Sequence, residues 1–309
     1  MAATRGDAAD LREVGQHRAT GRALSDTQLD NEWRAVDERK EDTEPPLERA
    51  ARSYFEWEQE QVLSFLQSHE RAWRQQRLEV DINIDDILNV LEAARKLVRN
   101  IEPGMMDAIR EGFRTGRLRI DAEGPPFDPD NPRVQQVTQE LIDVIQNVPR
   151  TSRGRLQEIV LEGYADGKDL STVVDEVQQL YQGSEATEGM TRSRARTIAR
   201  TTSTAAFEAG QRYSFEANGI AAREWLTTRD GRQRRGHGEA NGQRQPMDQP
   251  FEVRADTDRP FEQLQFPGDP NASAENVVNC RCTVLPSFGD EQDADNSALA
   301  GVVETDGPT

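Results

Sequence analysis

The chain has 309 residues, which is enough for two domains of ordinary size. Its 38 basic and 56 acidic residues leave a net charge of −18, and only 35% of its residues are apolar, fewer than the roughly 45–50% of typical globular chains. No stretch approaches the about 18 apolar residues that a membrane helix needs, and the first ten residues contain no apolar signal core. We therefore expect neither a membrane protein nor a protein secreted through a signal peptide.

The basic residues are almost all arginine, since only Lys40, Lys96 and Lys168 are lysines. An acidic excess with few lysines suits concentrated salt, because the Debye length falls to about 3 Å at 1 M and arginine is more weakly hydrated than lysine. A GC-rich genome would also favour arginine codons, but it would not explain the acidic excess. The composition therefore predicts a halophilic host.

The acidic residues are concentrated in the ends and the middle of the chain. Residues 121–189 carry 14 acidic and 5 basic residues, whereas residues 190–221 carry 2 acidic and 5 basic ones. Because affinity for nucleic acid comes mainly from neutralising phosphates, this pattern argues against DNA binding by the whole chain. A local basic contact remains open.

The first 50 residues are predicted to form a charged, partly disordered arm. Their apolar residues are too sparse for a core, and the Pro45-Pro46 pair is expected to close the arm. A helix is predicted over 53–73. A stronger helical stripe, with apolar residues at spacings of three and four, covers 84–101 and is expected to stop at Pro103-Gly104.

The predicted helical region spans 51–189 and is interrupted by a proline-rich loop at 123–132. After this loop, apolar residues recur at helical spacing over 134–148. Two shorter helices are predicted over 156–164 and 170–181.

The pattern changes after a long helix predicted over 191–219. Residues 223–228 and 277–285 are predicted to be strands, and the stretch between them is rich in Gly, Pro, Asn, Asp and Gln. So long an irregular stretch is usually functional. We assign residues 190–286 to one module and expect the acidic residues 287–309 to be disordered. The predicted fold class is α+β, with a mostly helical N-terminal region and a small α+β C-terminal module.

Five short motifs follow one another in this module: a tryptophan strand, a D-x-x-x-R-x-x-H segment, an N-G-Q turn, a P-G-D turn and a final N-C-R-C segment. Their residues are Trp225; Asp230, Arg234 and His237; Asn241, Gly242 and Gln243; Pro267, Gly268 and Asp269; and Asn279, Cys280, Arg281 and Cys282. In order and spacing the set resembles the C-terminal domain of the phage Mu F-like minor head proteins, the head-morphogenesis family of tailed viruses. The Arg200-Thr201 pair also matches that family, although Thr202 stands where an acidic residue is common.

The resemblance implies a minor capsid protein, located in few copies inside the virion head at the portal vertex and in the host cytoplasm during assembly. Such a protein would act in head assembly and in genome packaging or ejection. Its expected partners are the portal protein and, further, the major capsid protein and packaged double-stranded DNA, with no membrane contact. The alternative is a DNA-binding accessory protein that is ejected with the genome.

An enzyme is not expected. No nucleophile–base pair, phosphate-binding loop or carboxylate dyad occurs at a recognisable spacing. A His-Asn-His nuclease would need a second histidine near His237, and the other two, His17 and His69, lie far away in the sequence.

Cys280 and Cys282 lie two residues apart on a predicted strand, so both thiols are expected on one face. A disulfide between residues this close would be strained. With His237 as a third ligand and the carboxylate of Asp230 or Asp269 as a fourth, the thiols could hold zinc. The alternative, which the unusual C-x-C spacing favours, is that the cysteines are small buried apolar residues and that the protein has no cofactor. In both cases we expect His237, Cys280 and Cys282 to converge, because a stretch with few apolar residues is ordered when its polar side chains satisfy one another.

The densest basic run of the module consists of Arg229, Arg232, Arg234 and Arg235. These side chains could contact DNA phosphates or acidic residues of a portal protein. The alternative, which we prefer, is a network of ion pairs within the module. Its expected carboxylates are Asp230, Asp256, Asp258 and Asp269.

Overall fold

The computed structural model of the chain describes residues 11, 12, 16, 24–74, 87–184 and 188–288. The first ten residues and the acidic tail from 289 onward lie outside the described residues, and the prediction that they are disordered stays a prediction. The N-terminal part consists of helices. They are α1 (Asp26–Ser68), α2 (Glu70–Arg74), α3 (Val90–Arg119), α4 (Pro132–Ile145), α5 (Val148–Gln157), a π-helical turn (Glu158–Glu162), α6 (Gly163–Ala165), α7 (Leu170–Gln182) and α8 (Met190–Ala217).

Helix α1 begins at a capping box. The Ser25 side chain accepts a hydrogen bond from the Gln28 backbone, and the Gln28 side chain accepts one from the Ser25 backbone. The helix then continues through Pro45 and Pro46 to Ser68. The prediction that this proline pair closes an arm is therefore wrong, and helix α1 crosses position 50, where we placed the end of the arm.

The expectation that the arm contributes nothing to the core is also wrong. Trp33, Val36 and Leu47 are buried. The sparse apolar pattern misled because α1 also buries charged side chains, among them Glu32 and Lys40, which have charged partners on other helices. Burial of a charge is tolerated when it is paired.

Helix α3 passes through Pro103 and ends only at Arg119, so the predicted stop at Pro103-Gly104 is wrong. Gly104 serves packing instead: a Cβ there would lie 3.0 Å from Cδ2 of Leu47 on α1. Glycine at this position lets the two helices approach closely.

Helices α3 and α8 make backbone contact through glycines. A Cβ on Gly112 would lie 1.9 Å from the carbonyl oxygen of Phe207, and a Cβ on Gly210 would lie 2.0 Å from that of Ile109. Such a short distance to backbone atoms cannot be relieved by a side-chain rotation. The three long helices α1, α3 and α8 therefore form a tightly packed centre against which the shorter helices lie.

The helical stripes predicted over 134–148 and 170–181 correspond to α4 and α7, with Val134, Leu141, Val173 and Val177 buried. Within the described residues, no helix combines the length and the apolar content that crossing a membrane requires.

The C-terminal part contains short strands and two short helices. They are β1 (Ala222–Leu226), α9 (Arg235–Glu239), β2 (Arg244–Pro246), β3 (Phe251–Val253), β4 (Glu262–Leu264), α10 (Ala274–Val277) and β5 (Thr283–Ser287). Strand β1 is central in an antiparallel sheet of order β2–β1–β5, with Trp225 opposite Val284. Strands β3 and β4 form a second antiparallel pair. The α+β fold class, with a helical N-terminal region, is confirmed.

The predicted strand over 277–285 is only partly correct. Val277 ends α10, and β5 begins at Thr283. Val278 and Asn279 form a turn, and residues 280–282 have no strand partner among the described residues. Asn279 has a left-handed backbone with φ of 57°, a conformation that asparagine tolerates better than most residues. The other domain boundaries that we predicted stay predictions.

Candidate metal centre

His237, Cys280 and Cys282 meet in the core of the C-terminal module. Nδ1 of His237 lies 3.7 Å from Sγ of Cys280 and 3.5 Å from Sγ of Cys282. All three residues are buried, with at most 2% of their surface exposed, and both cysteines are free thiols. The three side chains thus converge as the sequence predicts, although the cysteines precede strand β5 rather than lie on a strand.

Helix α9 presents His237 to the thiols. Gly236 makes this placement possible, because a Cβ there would lie 2.0 Å from the carbonyl oxygen of Arg254. The imidazole ring lies perpendicular to the Trp225 ring, with a centroid distance of 5.8 Å and an angle of 89° between their planes. Trp225 itself is fully buried against Phe251.

The N-C-R-C segment is held by side chains of α1 and α8 instead of by a neighbouring strand. The backbone N–H of Asn279 donates to Oγ1 of Thr201. Three consecutive carbonyls then accept side-chain hydrogen bonds: Cys280 from Thr204 at 2.8 Å, Arg281 from Trp33 at 3.1 Å and Cys282 from Lys40 at 2.7 Å.

These bonds satisfy the backbone of a buried segment that has no strand partner. They also fix the alternation that points both thiols inward and Arg281 outward. Arg281 pairs there with Asp37, at 3.3 Å, and with Glu41 of α1.

A chain of hydrogen bonds sets the tautomer of His237. The Asn276 amide donates from Nδ2 to Oε1 of Glu262 at 2.7 Å, and a carboxylate can only accept. This orients Oδ1 of Asn276 toward Nε2 of His237, at 3.2 Å, so Nε2 carries the proton. Nδ1 faces the two thiols.

Glu262 remains a carboxylate in this chain. Partial burial acts to raise its pKa, but hydrogen bonds from the side chain and backbone of Ser273 and from Asn276 outweigh burial and lower the pKa of Glu262.

The two thiols differ in their ease of ionisation. Burial opposes ionisation of Cys282, but hydrogen bonds with Cys280, His237 and Thr227 hold the pKa of its thiol below the ordinary value. The pKa of the Cys280 thiol is raised by its hydrogen bond with Cys282 and by burial. Cys282 is therefore the thiol that ionises first.

Neither predicted carboxylate ligand joins the cluster, which among the described residues contains only His237 and the two cysteines. Asp269 instead accepts hydrogen bonds from the backbones of Gln265 and Asn271. Asp230 accepts them from Thr228 and Arg232. The assignment of Asp230 or Asp269 as a fourth ligand is wrong, because each carboxylate closes its own turn.

Three of the four arginines in the basic run are engaged within the chain. Arg229 pairs with Asp26 and Asp30 at the start of α1, and Arg232 pairs with Asp230. Arg234 donates to the carbonyl oxygen of Val278.

The preferred prediction of internal ion pairs agrees with this geometry, but of the four expected carboxylates only Asp230 pairs with the run. Asp256, Asp258 and Asp269 form no ion pair with the run in the described part of the chain. The fourth arginine, Arg235, is exposed.

The two turn motifs shape the backbone around the cluster. Asn241 accepts a hydrogen bond from the Thr227 backbone, and Gly242 has φ of 81°. The Gln243 side chain pairs with both backbone groups of Glu252, which ties the turn to β3. Gly268 has φ of 82°, and a Cβ on it would lie 3.1 Å from the backbone of Ala205 on α8. These motif residues are therefore structural.

Sequence reasoning missed the buried charges that attach the module to the helices. Lys40 of α1 and Glu208 of α8 pair at 2.5 Å with side chains 2% and 0% exposed. Arg119 of α3 pairs with Glu32 at 2.6 Å and donates to the carbonyl oxygen of Val284 in β5.

Arg223 is a further buried charge, on β1. Its guanidinium donates to the carbonyl oxygens of Gln249 and Gln265 and lies over the Phe251 ring. Burial, followed by the nearby charge of Arg212, lowers the pKa of Arg223 to about 9. Its position two residues before Trp225 places it on the same face of the strand, and this signal could have found it.

The fold and site define a structural module: a small two-sheet domain fastened to a helical body by buried ion pairs, with a compact thiol–imidazole cluster in its core. Residues 154–285 match the family model described as Phage Mu protein F like protein. These residues form a phage Mu F-like domain, which begins in α5, before the module boundary that we predicted at 190. No curated protein and no solved structure matches the chain. The domain points to a role in phage head morphogenesis.

Proposed function

We propose that the chain is a minor capsid protein located inside the head at the portal vertex, where it acts in head assembly and in genome packaging or ejection. The observation that carries this proposal is the match of residues 154–285 to the phage Mu F-like family. We propose the portal protein as the main partner, with further contacts to the major capsid protein and packaged double-stranded DNA. We expect no catalytic activity.

The way in which the module is attached supports a structural role. Helix α1 is packed along α3 and α8, and its Trp33 and Lys40 hold the N-C-R-C segment. The module and the helices therefore form one continuous body, joined by hydrogen bonds between buried groups. A body of this kind can hold a capsid contact and a portal contact at a fixed position relative to each other.

The second candidate, a DNA-binding accessory protein ejected with the genome, has weaker support. A net charge of −18 repels phosphates. In the basic run, Arg229, Arg232 and Arg234 are already engaged within the chain. We assign the exposed Arg235 to a contact with acidic residues of the portal protein.

Genome release in vitro separates the two candidates. Virions are triggered to release DNA, emptied particles are sedimented, and the chain is quantified in both fractions. We expect it to stay with the emptied heads and to co-purify with portal after the heads are dissociated. Recovery with the released DNA would overturn the portal proposal and favour the accessory protein.

A charge reversal tests the assigned portal contact. Arg235→Glu is expected to reduce co-purification of the chain with portal. Arg74→Glu is the matched control, because Arg74 is also exposed but lies on α2, outside the module. Equal co-purification of both variants would contradict the assignment of Arg235.

We also propose that the host of this virus is a halophile. The acidic excess and the presence of only three lysines support this, and the salt dependence of folding tests it.

A further inference from the structure

We propose that Nδ1 of His237 and the Sγ atoms of Cys280 and Cys282 bind one Zn²⁺ ion, which cross-links the C-terminal module. The C-x-C spacing alone favoured packing without a metal. The geometry of the three side chains favours the ion, and it does so independently of the role proposed for the chain in the head.

The distances between the ligand atoms are those of a zinc site. Zinc binds thiolate sulfur at about 2.3 Å and imidazole nitrogen at about 2.0–2.1 Å in tetrahedral geometry, which separates the nitrogen from each sulfur by about 3.6 Å. The observed separations are 3.7 Å to Cys280 and 3.5 Å to Cys282. The three ligand atoms all lie within 4.8 Å of one another, so a zinc ion fits between them with small movements of the side chains.

The hydrogen-bond chain from Glu262 prepares the imidazole to bind a metal. Asn276 accepts the Nε2 proton of His237 and is itself oriented by the Glu262 carboxylate. Metal-binding histidines commonly donate their second ring N–H to such a partner, which fixes the ring and the tautomer. His237 is thus the ligand, and Asn276 and Glu262 hold its ring in position.

Charge balance suits a divalent ion, and the ligand type favours zinc over calcium and magnesium. Two thiolates and a neutral imidazole around Zn²⁺ give a net charge of zero, which suits a site whose residues are at most 2% exposed. Soft thiolate ligands select against calcium and magnesium, which prefer oxygen.

Three protein ligands leave one tetrahedral position for an oxygen donor. The buried hydroxyl of Thr227 lies 3.5 Å from Sγ of Cys282, a separation that zinc ligands adopt.

The ion would cross-link the two ends of a long stretch of the module. His237 lies 43 and 45 residues before the two cysteines, and the stretch between them contains only the short elements β2, β3, β4 and α10. A cross-link that closes a long loop restricts the unfolded chain. We therefore assign the metal a structural role.

Metal analysis of the full chain tests this proposal. The protein is purified without a histidine tag and without chelator, and zinc is measured by mass spectrometry of the metal. Metal-free protein, kept reduced and shown by circular dichroism to be folded, is then titrated with Co²⁺. We expect about one zinc per chain, a thiolate-to-cobalt charge-transfer band with the intense d–d bands of a tetrahedral site, and a lower melting temperature after chelation.

Variants locate the ion. Cys282→Ser and His237→Gln are expected to lose the bound zinc, whereas His69→Gln, outside the module, keeps it. The proposal is overturned if purified protein contains no zinc and folded, reduced, metal-free protein gives no cobalt bands. Zinc that persists in both Cys282→Ser and His237→Gln would also overturn it. The cobalt titration uses the unaltered chain, so the test stands even if a variant does not fold.

Discussion

The buried pair of Lys40 and Glu208 joins the N-terminal helix to the module, and its removal should be costly. Nζ of Lys40 lies 2.5 Å from Glu208 and 2.7 Å from the carbonyl oxygen of Cys282. Lys40→Met removes both contacts and leaves the Glu208 carboxylate buried without its counter-charge. Breaking one side of such a pair costs about 3–5 kcal/mol. At about 2–3 °C per kcal/mol for a chain of this size, the melting temperature should fall by about 6–15 °C.

Urea unfolding followed by circular dichroism measures this loss, and two further variants interpret it. Lys40→Met combined with Glu208→Gln should recover more than half of the loss, because no unpaired charge remains. Lys168→Met, which removes the half-exposed pair with Glu176, should leave the unfolding midpoint close to that of the unaltered chain. Equal midpoints for Lys40→Met and Lys168→Met would refute the conclusion that the Lys40 pair fastens the module.

Three other predictions concern packing, pH and salt. Gly112→Ala should lower stability by about 1–3 kcal/mol or more, because the new Cβ would lie 1.9 Å from the Phe207 carbonyl oxygen. Gly154→Ala is the control, since the space around Gly154 is open, and it should be neutral or stabilising. Equal melting temperatures for the two variants would contradict the close contact at Gly112. Burial raises the pKa of Glu58 above its ordinary 4.5 despite hydrogen bonds from two tyrosines, so the native state holds the proton more tightly, and the stability that this gives is lost as pH rises above 4.5. Glu58→Gln should flatten that part of the pH profile of unfolding, and an unchanged profile would show that Glu58 ionises normally. Folding should need molar KCl, because it screens the charge of −18, and equal stability at low and high KCl would remove the argument for a halophilic host.

The helices that could be predicted are those that bury an apolar stripe. Helices α4 and α7 follow their stripes closely. The N-terminal part of helix α1, before residue 53, was missed because part of its buried face is charged, and reading from apolar periodicity treats a residue such as Lys40 as exposed. The Ser25–Gln28 capping box was the available signal for its start.

The interior prolines misled for a different reason. Proline costs a helix one hydrogen bond and about 3 kcal/mol, so Pro45, Pro46 and Pro103 are reasonable stops in an isolated segment. In the folded chain the packing of α1, α3 and α8 outweighs that cost.

The candidate site was predictable in composition but not in its surroundings. The period of two in an extended chain placed both thiols on one face, and the polar character of the stretch favoured convergence with His237. The partners that orient these groups, Asn276 and Lys40, come from α10 and α1. No local pattern in the sequence connects them to the cluster.

Quantitative mass spectrometry of purified virions tests the central claim most directly. Isotope-labelled peptides of this chain, of the portal protein and of the major capsid protein give the number of copies of each per particle. A minor capsid protein at the portal vertex predicts that the chain is present in every preparation, in a fixed ratio to portal and in far fewer copies than the major capsid protein. Virions that lack the chain, or that carry it in numbers approaching those of the major capsid protein, would contradict this account.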